Sequence, residues 1–170
     1  ISFTITEKGY ALKNIQDQFF PFVEADFNNG PANCSHAMSR MAALLLERFN
    51  ACKTPVAMVS MDNCSHNGEK LRSSVMTVVE KWHAKGFVSD EFVAWVSDEN
   101  NVSFPWSMID KITPRPAKVV EEALEAAGIE AMAPQITPKN TFVAPFVNAE
   151  EPQYLVVEDR FPNGRPPLEK

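Results

Sequence analysis

The stretch Val56-Ala57-Met58-Val59-Ser60-Met61-Asp62-Asn63-Cys64-Ser65-His66-Asn67-Gly68 decides how this chain is read. Six apolar or small residues run without a charge into Asp62 and Asn63, and a turn and a helical pattern follow. An uninterrupted apolar run of this length predicts a strand buried on both faces, the kind found in parallel sheets. In open α/β sheets, ligands sit beyond the carboxyl ends of such strands. Two short side chains with hydrogen-bonding oxygens arrive there together. Asp, Asn and Gly also end strands in ordinary turns. The stretch by itself supports a turn and a site equally.

Working outward, the residues after Gly68 repeat with helical period to about Lys85. Leu71, Val75, Val78, Val79 and Trp82 fall on one face, and Gly86 ends the pattern. The unpaired N–H groups at the start of that helix favour an anion or a ligand oxygen. Upstream, Ser35 to about Asn50 is a second helix, with Met38, Met41, Ala42, Leu45 and Phe49 on one face and Asn33 or Ser35 as cap. Its Met-rich stripe reads as core packing. Ser89 caps a third helix that carries Phe92, Val93, Trp95 and Val96, and Asp98 to Asn101 ends it. A further largely apolar segment, Val102 to Pro114, follows. Strand, helix and strand in this order is the rhythm of a parallel sheet.

The flanks are less regular. Ile1, Phe3 and Ile5 alternate with Ser2, Thr4 and Thr6, which predicts a strand that Glu7-Lys8-Gly9-Tyr10 ends. Residues 11 to 33 show no clear periodicity, and Asn28-Asn29-Gly30-Pro31 is a loop signal. Pro116 to Ala127 predicts a helix with Val119, Val120, Ala123, Leu124 and Ala127 on one face. Pro134, Pro138, Pro145 and Pro152 mark a loop that packs on the surface, and Tyr154 to Val157 a last short strand.

With 170 residues, 45% of them hydrophobic, the chain is expected to make one domain with a real core, with or without a tail. A net charge of -6 without a basic run excludes an electrostatic footprint for nucleic acid. No apolar run is long enough to span a membrane, and no secretory leader is recognisable. Three scattered cysteines argue against a disulfide framework and point to a reducing cytoplasm. The chain opens without Met on a strand-like segment and stops at Pro-Pro-Leu-Glu-Lys, so it is expected to be a piece of a longer polypeptide.

Three constellations carry chemistry. Cys34-Ser35-His36 and Cys64-Ser65-His66 repeat one pattern and suggest a four-ligand zinc site, although ligand pairs usually need wider spacing. Cys64 lies near a helix N-terminus and beside His66, a setting that lowers a thiol pKa and suits a nucleophile. The third is a set of polar groups at three strand ends: Glu7, Asp62 with Asn63, and Asp110 among apolar Met108, Ile109 and Ile112. Each acid has a plain alternative as a solvated charge. Together, carboxylate and amide suit a hydroxylated substrate.

Three segments bring a resemblance into view. They are Thr4-Ile5-Thr6-Glu7-Lys8-Gly9-Tyr10, then Val59-Ser60-Met61-Asp62-Asn63 with Asn67-Gly68, then Phe104-Pro105-Trp106-Ser107-Met108-Ile109-Asp110-Lys111-Ile112-Thr113-Pro114. In this order they resemble the mannitol dehydrogenase family of polyol and hexuronate dehydrogenases. Val157-Glu158-Asp159-Arg160-Phe161 is similar to the segment where that family passes into its second domain. The resemblance implies the second half of a Rossmann-like, mostly parallel α/β sheet. Residues 1–150 would be the later part of the dinucleotide-binding domain, and 151–170 a strand and connection toward a helical domain.

It also implies a metal-independent oxidoreductase using NAD or NADP on a polyol, ketose or uronate. The remainder of its own polypeptide would supply a catalytic Lys. Asn63 matches an Asn that polarises the reacting oxygen, and Glu7 a Glu linked to proton exchange. Asp110, Met108 and Asp62 would lie by the cofactor, and Asn63, Asp110 and Lys111 by the substrate. Two positions depart from the family pattern. Lys111 stands where Arg is usual and loses its planar fork. Trp106 stands where Asn is common after Phe-Pro and would reshape the pocket. The glycine-rich dinucleotide turn and the second domain's Lys-x-x-x-x-Asn-x-x-His motif are not in these residues. A non-catalytic α/β module that binds a sugar or nucleotide is the alternative reading.

Overall fold

The structure, a computed structural model, describes residues 1–110, 116–146 and 155–167. It divides into two compact units, Ile1–Ile109 with Leu155–Lys170, and Asp110–Tyr154.

The first unit is built on a small parallel sheet. Strand β1 is Ser2–Phe3, and the expected central strand forms as two consecutive pieces, β2 (Val56–Ala57) and β3 (Val59–Ser60). β1 pairs parallel with β3, and β2 pairs parallel with β4 (Val102–Ser103). The break at Met58 is a change of partner. Val56 N and Met58 N donate to Asn101 O and Ser103 O at 2.8 and 2.9 Å, whereas Val59 N and Met61 N donate to Ile1 O and Phe3 O, each at 2.8 Å. One segment therefore serves both neighbours, and residues 56 to 60 are all buried. That burial is why the run carries no charge.

Of helices α1 (Pro21–Asn29), α2 (Ala37–Ala51), α3 (Asn67–Ala84) and α4 (Asp90–Ser97), α3 packs on β3 and α4 on β4, while α1 and α2 pack against α3. The apolar face expected of α3 is fully buried: Leu71, Val75, Val78, Val79 and Trp82 expose nothing. Each such side chain contributes about 1.5–3 kcal/mol of transfer free energy. α2 buries Met38, Ala42, Leu45 and Phe49, while Met41 is only half-buried. Its cap is neither Asn33 nor Ser35. The His36 ring accepts from Met38 N at 3.2 Å instead. Ser89 caps α4, its hydroxyl accepting from Phe92 N at 3.3 Å.

α1 lies where no periodicity was expected. Its buried side is only Val23, Asp26 and Phe27, so a carboxylate interrupts the apolar stripe. Asp26 accepts from Ser35 N and His36 N at 2.8 and 2.9 Å and joins α1 to the start of α2.

Beyond β4, strand β5 (Ser107–Met108) pairs antiparallel with a later segment, so the sheet region is mixed. The second unit holds α5 (Lys118–Ala126) and a hairpin of β6 (Gln135–Ile136) and β7 (Phe142–Val143). The hairpin replaces the expected surface loop. α5 has the expected amphipathic pattern, yet none of its residues is buried and Val119 is 71% exposed. The partner of β5 is β8 (Val156–Val157), the short strand expected near the end, and it belongs to the first unit. Among the described residues, no helix is long and apolar enough to cross a membrane.

Candidate functional site

The carboxyl ends of β1, β3 and β4 lead into three loops of the first unit. Asp62, two residues past β3, is 4% exposed. Its carboxylate accepts from Ile5 N at 3.0 Å, from Thr6 N at 2.7 Å and from the Tyr10 hydroxyl. Burial, followed by the bond to Asp62, pushes the Tyr10 phenol up in pKa, which keeps it a neutral donor. Thr6 has φ 66°, a region in which a β-carbon is unfavourable. The Asp62 carboxylate holds that kink and so sets the direction of Glu7, which begins a 3-10 turn from Glu7 to Tyr10. Asp62 was expected beside the cofactor. The structure turns its oxygens inward, where all of these donors belong to the protein.

Asn63 sits next to it at the start of the turn into α3. It is exposed, and its side chain makes no hydrogen bond among the described residues. Asn67, at the other end of the turn, is its opposite. It is 1% exposed; its amide N–H donates to Asp62 O at 3.0 Å and to Ser107 O at 2.9 Å, and its oxygen accepts from Gly68 N and Ser107 N at 2.8 and 3.0 Å. The Ser107 hydroxyl donates to Ser60 O. Asn67 and Ser107 therefore clamp the turn to β5. A β-carbon on Gly68 would lie 2.3 Å from Phe104 O, so only glycine lets the two backbones approach this closely. Sequence reasoning noticed Asn67-Gly68 only as part of a turn and missed that Asn67 spans the gap to the next strand. The Asn-Gly pair opening a long helix was the signal available.

Glu7 points across to α3. Lys70 Nζ is 2.9 Å from Glu7 Oε1, a bond between residues 63 apart in sequence. Both line a cavity of about 690 Å³, with Tyr10, His66, Ser73 and Thr77 among its walls. Asp62 thus links the two loops, bonding the Ile5 and Thr6 backbone that leads into Glu7 and preceding Asn63 in sequence; Asn63 is not among the residues that line this cavity. Met108 lies on β5, paired with Val156 and 44% exposed. Asp110 is exposed and is the first residue of the second unit. Lys111 lies outside the described residues.

The two Cys-x-His pairs do not assemble. Cys34 and His36 precede α2 and Cys64 and His66 precede α3. Among the described residues no group of three His, Cys, Asp or Glu is placed to hold a metal. The thiol expectation is also corrected. Burial, with Glu7 and Asp62 adding to it against Lys70, raises the Cys64 pKa, so the helix start does not make it a ready thiolate. All three cysteines are free.

This geometry has clear relatives. Over 168 residues the chain is 51% identical to the D-mannonate oxidoreductase of Thermotoga maritima, covering 99% of this chain and 31% of that protein. It is 32% identical to the mannitol 2-dehydrogenase of Cereibacter sphaeroides, covering all of this chain and 32% of that one. The solved structure of Pseudomonas fluorescens mannitol 2-dehydrogenase, a ternary complex with NAD and D-mannitol, superposes with a TM-score of 0.59 at 28% identity, over 98% of this chain and 30% of that one. The chain thus spans about a third of the length of the curated relatives it matches. Residues 2–170 match the family model described as the mannitol dehydrogenase Rossmann domain, and the chain belongs to that family.

Proposed function

We propose that this chain is part of an NAD- or NADP-dependent oxidoreductase that interconverts a sugar alcohol or aldonate with the corresponding ketose or keto-uronate. Residues 1–150 form the later part of the dinucleotide-binding domain, and 151–170 lead toward a second domain that supplies the general base. The observation that carries the reading is Asn63: an unpartnered amide on the rim of a parallel sheet, in a turn clamped by Asp62 and Asn67.

The residues fit the nicotinamide end of a dinucleotide. Asn63 offers an amide without an internal partner and Met108 an exposed apolar side chain. When bound, a dinucleotide would supply hydride-transfer chemistry, with Asn63 and Met108 at its nicotinamide end. Asn63 Nδ2–H donates to the substrate oxygen and stabilises its negative charge as the carbonyl is reduced or the alcohol deprotonated. Glu7, fixed by the Thr6 kink, exchanges the proton with solvent through the adjoining cavity. Asp110 and Lys111 orient substrate and cofactor. Asp62 serves by holding the Glu7 loop. The 51% identity to a D-mannonate oxidoreductase favours a sugar acid over a neutral polyol. Three free cysteines support a reducing, cytoplasmic setting.

The test uses the intact polypeptide, with nicotinamide absorbance as readout. Asn63→Ala is expected to lower kcat for D-mannonate by on the order of 100-fold or more, the usual loss for a single oxyanion donor. Turnover near that of wild type would remove the assignment. The 170-residue chain alone is expected not to turn over substrate.

A further inference from the structure

Of the three tryptophans, Trp82 and Trp95 are buried in the core, whereas Trp106 is 43% exposed. Trp106 follows the carboxyl end of β4 as Asn63 follows that of β3. Its backbone is fixed on both sides: its N–H donates to Glu158 Oε2 at 3.1 Å, and its carbonyl accepts from Glu158 N at 2.8 Å. The indole therefore stands exposed on an anchored segment. Against it lies the ring of His66, with centroids 4.4 Å apart and planes at 33°. His66 closes the turn that Asn63 opens, and it does so at φ 54°. A residue with a β-carbon is disfavoured there, and the ring contact helps to hold it. Glu69 Oε2 is 3.9 Å from His66 Nδ1, which leaves Nε2 without a partner among the described residues.

We propose that Trp106 and His66 form the substrate-selecting wall of this site. The indole face packs on the C–H face of the substrate's carbon chain, and His66 Nε2 bonds its carboxylate. The proposal rests on the oxidoreductase reading above and adds which residues choose among its substrates. Aromatic faces pair with apolar C–H surface while one polar edge sets orientation, which is how small sites obtain specificity. The start of α3, an 18-residue helix that follows His66 directly, adds a positive end that favours an acid over a neutral polyol.

The experiment again uses the intact polypeptide, as wild type and as the Trp106→Asn, Trp106→Phe and His66→Asn variants. KM and kcat are measured for D-mannonate and for D-mannitol, together with the KM for the dinucleotide, the melting temperature and the fluorescence change on adding D-mannonate. Trp106→Asn is expected to raise the KM for D-mannonate by about 10-fold or more, the size of one lost apolar or stacking contact, with dinucleotide KM unchanged and Trp106→Phe near wild type. His66→Asn is expected to raise KM for D-mannonate and leave that for D-mannitol unchanged. D-mannonate is expected to change wild-type fluorescence, and the change is expected to vanish in Trp106→Phe.

An unchanged KM for D-mannonate in both Trp106→Asn and His66→Asn overturns the proposal. So does a rise confined to dinucleotide KM, which would put the stack against the nicotinamide, or a fall in melting temperature alone, which would make it a domain contact. If Trp106→Asn does not fold, His66→Asn and the fluorescence of Trp106→Phe decide. A wild-type protein that oxidises no polyol or sugar acid defeats the oxidoreductase reading instead, and the fluorescence response still reads the wall.

Discussion

At the scale of single residues, the rim is set by buried groups whose hydrogen bonds run to the protein itself. Asp62 and Asn67 are buried and bonded on every side, and between them they hold Asn63 outward and Glu7 across the gap. Gly68 makes that arrangement possible. A β-carbon there would press on two carbonyl oxygens, Phe104 O at 2.3 Å and Pro105 O at 2.8 Å. Backbone atoms cannot rotate away as a side-chain tip can. Gly86, by contrast, meets nothing within 4 Å but has φ 77°. Gly68→Ala is therefore expected to lower unfolding free energy by roughly 2–3 kcal/mol, the upper part of the range for overpacking, and Gly86→Ala by about 1–2, the size of a left-handed backbone penalty. Chemical denaturation of the two variants checks the order. A Gly68→Ala variant as stable as wild type would mean that the Phe104-Pro105 segment is free to move off α3.

At the scale of elements, what the residues disclosed in advance depended on how each element is stabilised. The strand around Met58 and the helices α2, α3 and α4 are held by apolar faces, and a periodic apolar face is visible in one sequence. α1 is held by a buried carboxylate, which periodicity counts as polar. β6 and β7 pair through the backbone, with three of their four residues exposed and none buried, so no buried face alternates with a wet one and the prolines around them suggested a loop. The same distinction separated the site residues. Asn63 and Glu7 were singled out by motif, and their roles are proposals. Whether a carboxylate such as Asp62 faces in or out depends on contacts with residues 5, 6 and 10, more than 50 positions away. Asp26 offers the sharpest test at this scale. Removing it leaves the N–H groups of Ser35 and His36 without their acceptor at the entry to α2. Asp26→Ala is expected to cost about 2–4 kcal/mol, one desolvation penalty for each N–H. Ser89→Ala, which removes a single helix cap, is expected to cost about 1 kcal/mol. Equal losses by thermal or urea unfolding would show that Asp26 acts only as a cap.

At the scale of the whole chain, stability should be unevenly distributed, because burial is. The first unit contains every buried hydrophobic residue of the described core, from Tyr10 to Phe104. The second unit contributes none to that core: α5 has no buried residue, and Val119 and Ile136 are each 71% exposed. A helix of nine residues without tertiary burial is marginal in water, because nucleation is unfavourable and few hydrogen bonds repay it. Local opening of α5 therefore does not require the core to open. In the isolated chain, the amides of Val75, Val78 and Val79 on α3 are expected to exchange with solvent only through global unfolding. Those of residues 122 to 126 should exchange at least about 100-fold faster, corresponding to an opening free energy lower by some 3 kcal/mol. Hydrogen exchange followed by NMR reads both sets in one sample. Equal protection would mean that α5 is coupled to the core after all, and would count against treating 110–154 as a separate unit. If the intact polypeptide instead protects α5 while leaving the α3 rates unchanged, the missing stabilisation comes from the rest of the polypeptide. The apolar stripe of Val120, Ala123 and Leu124 would then have its partner there.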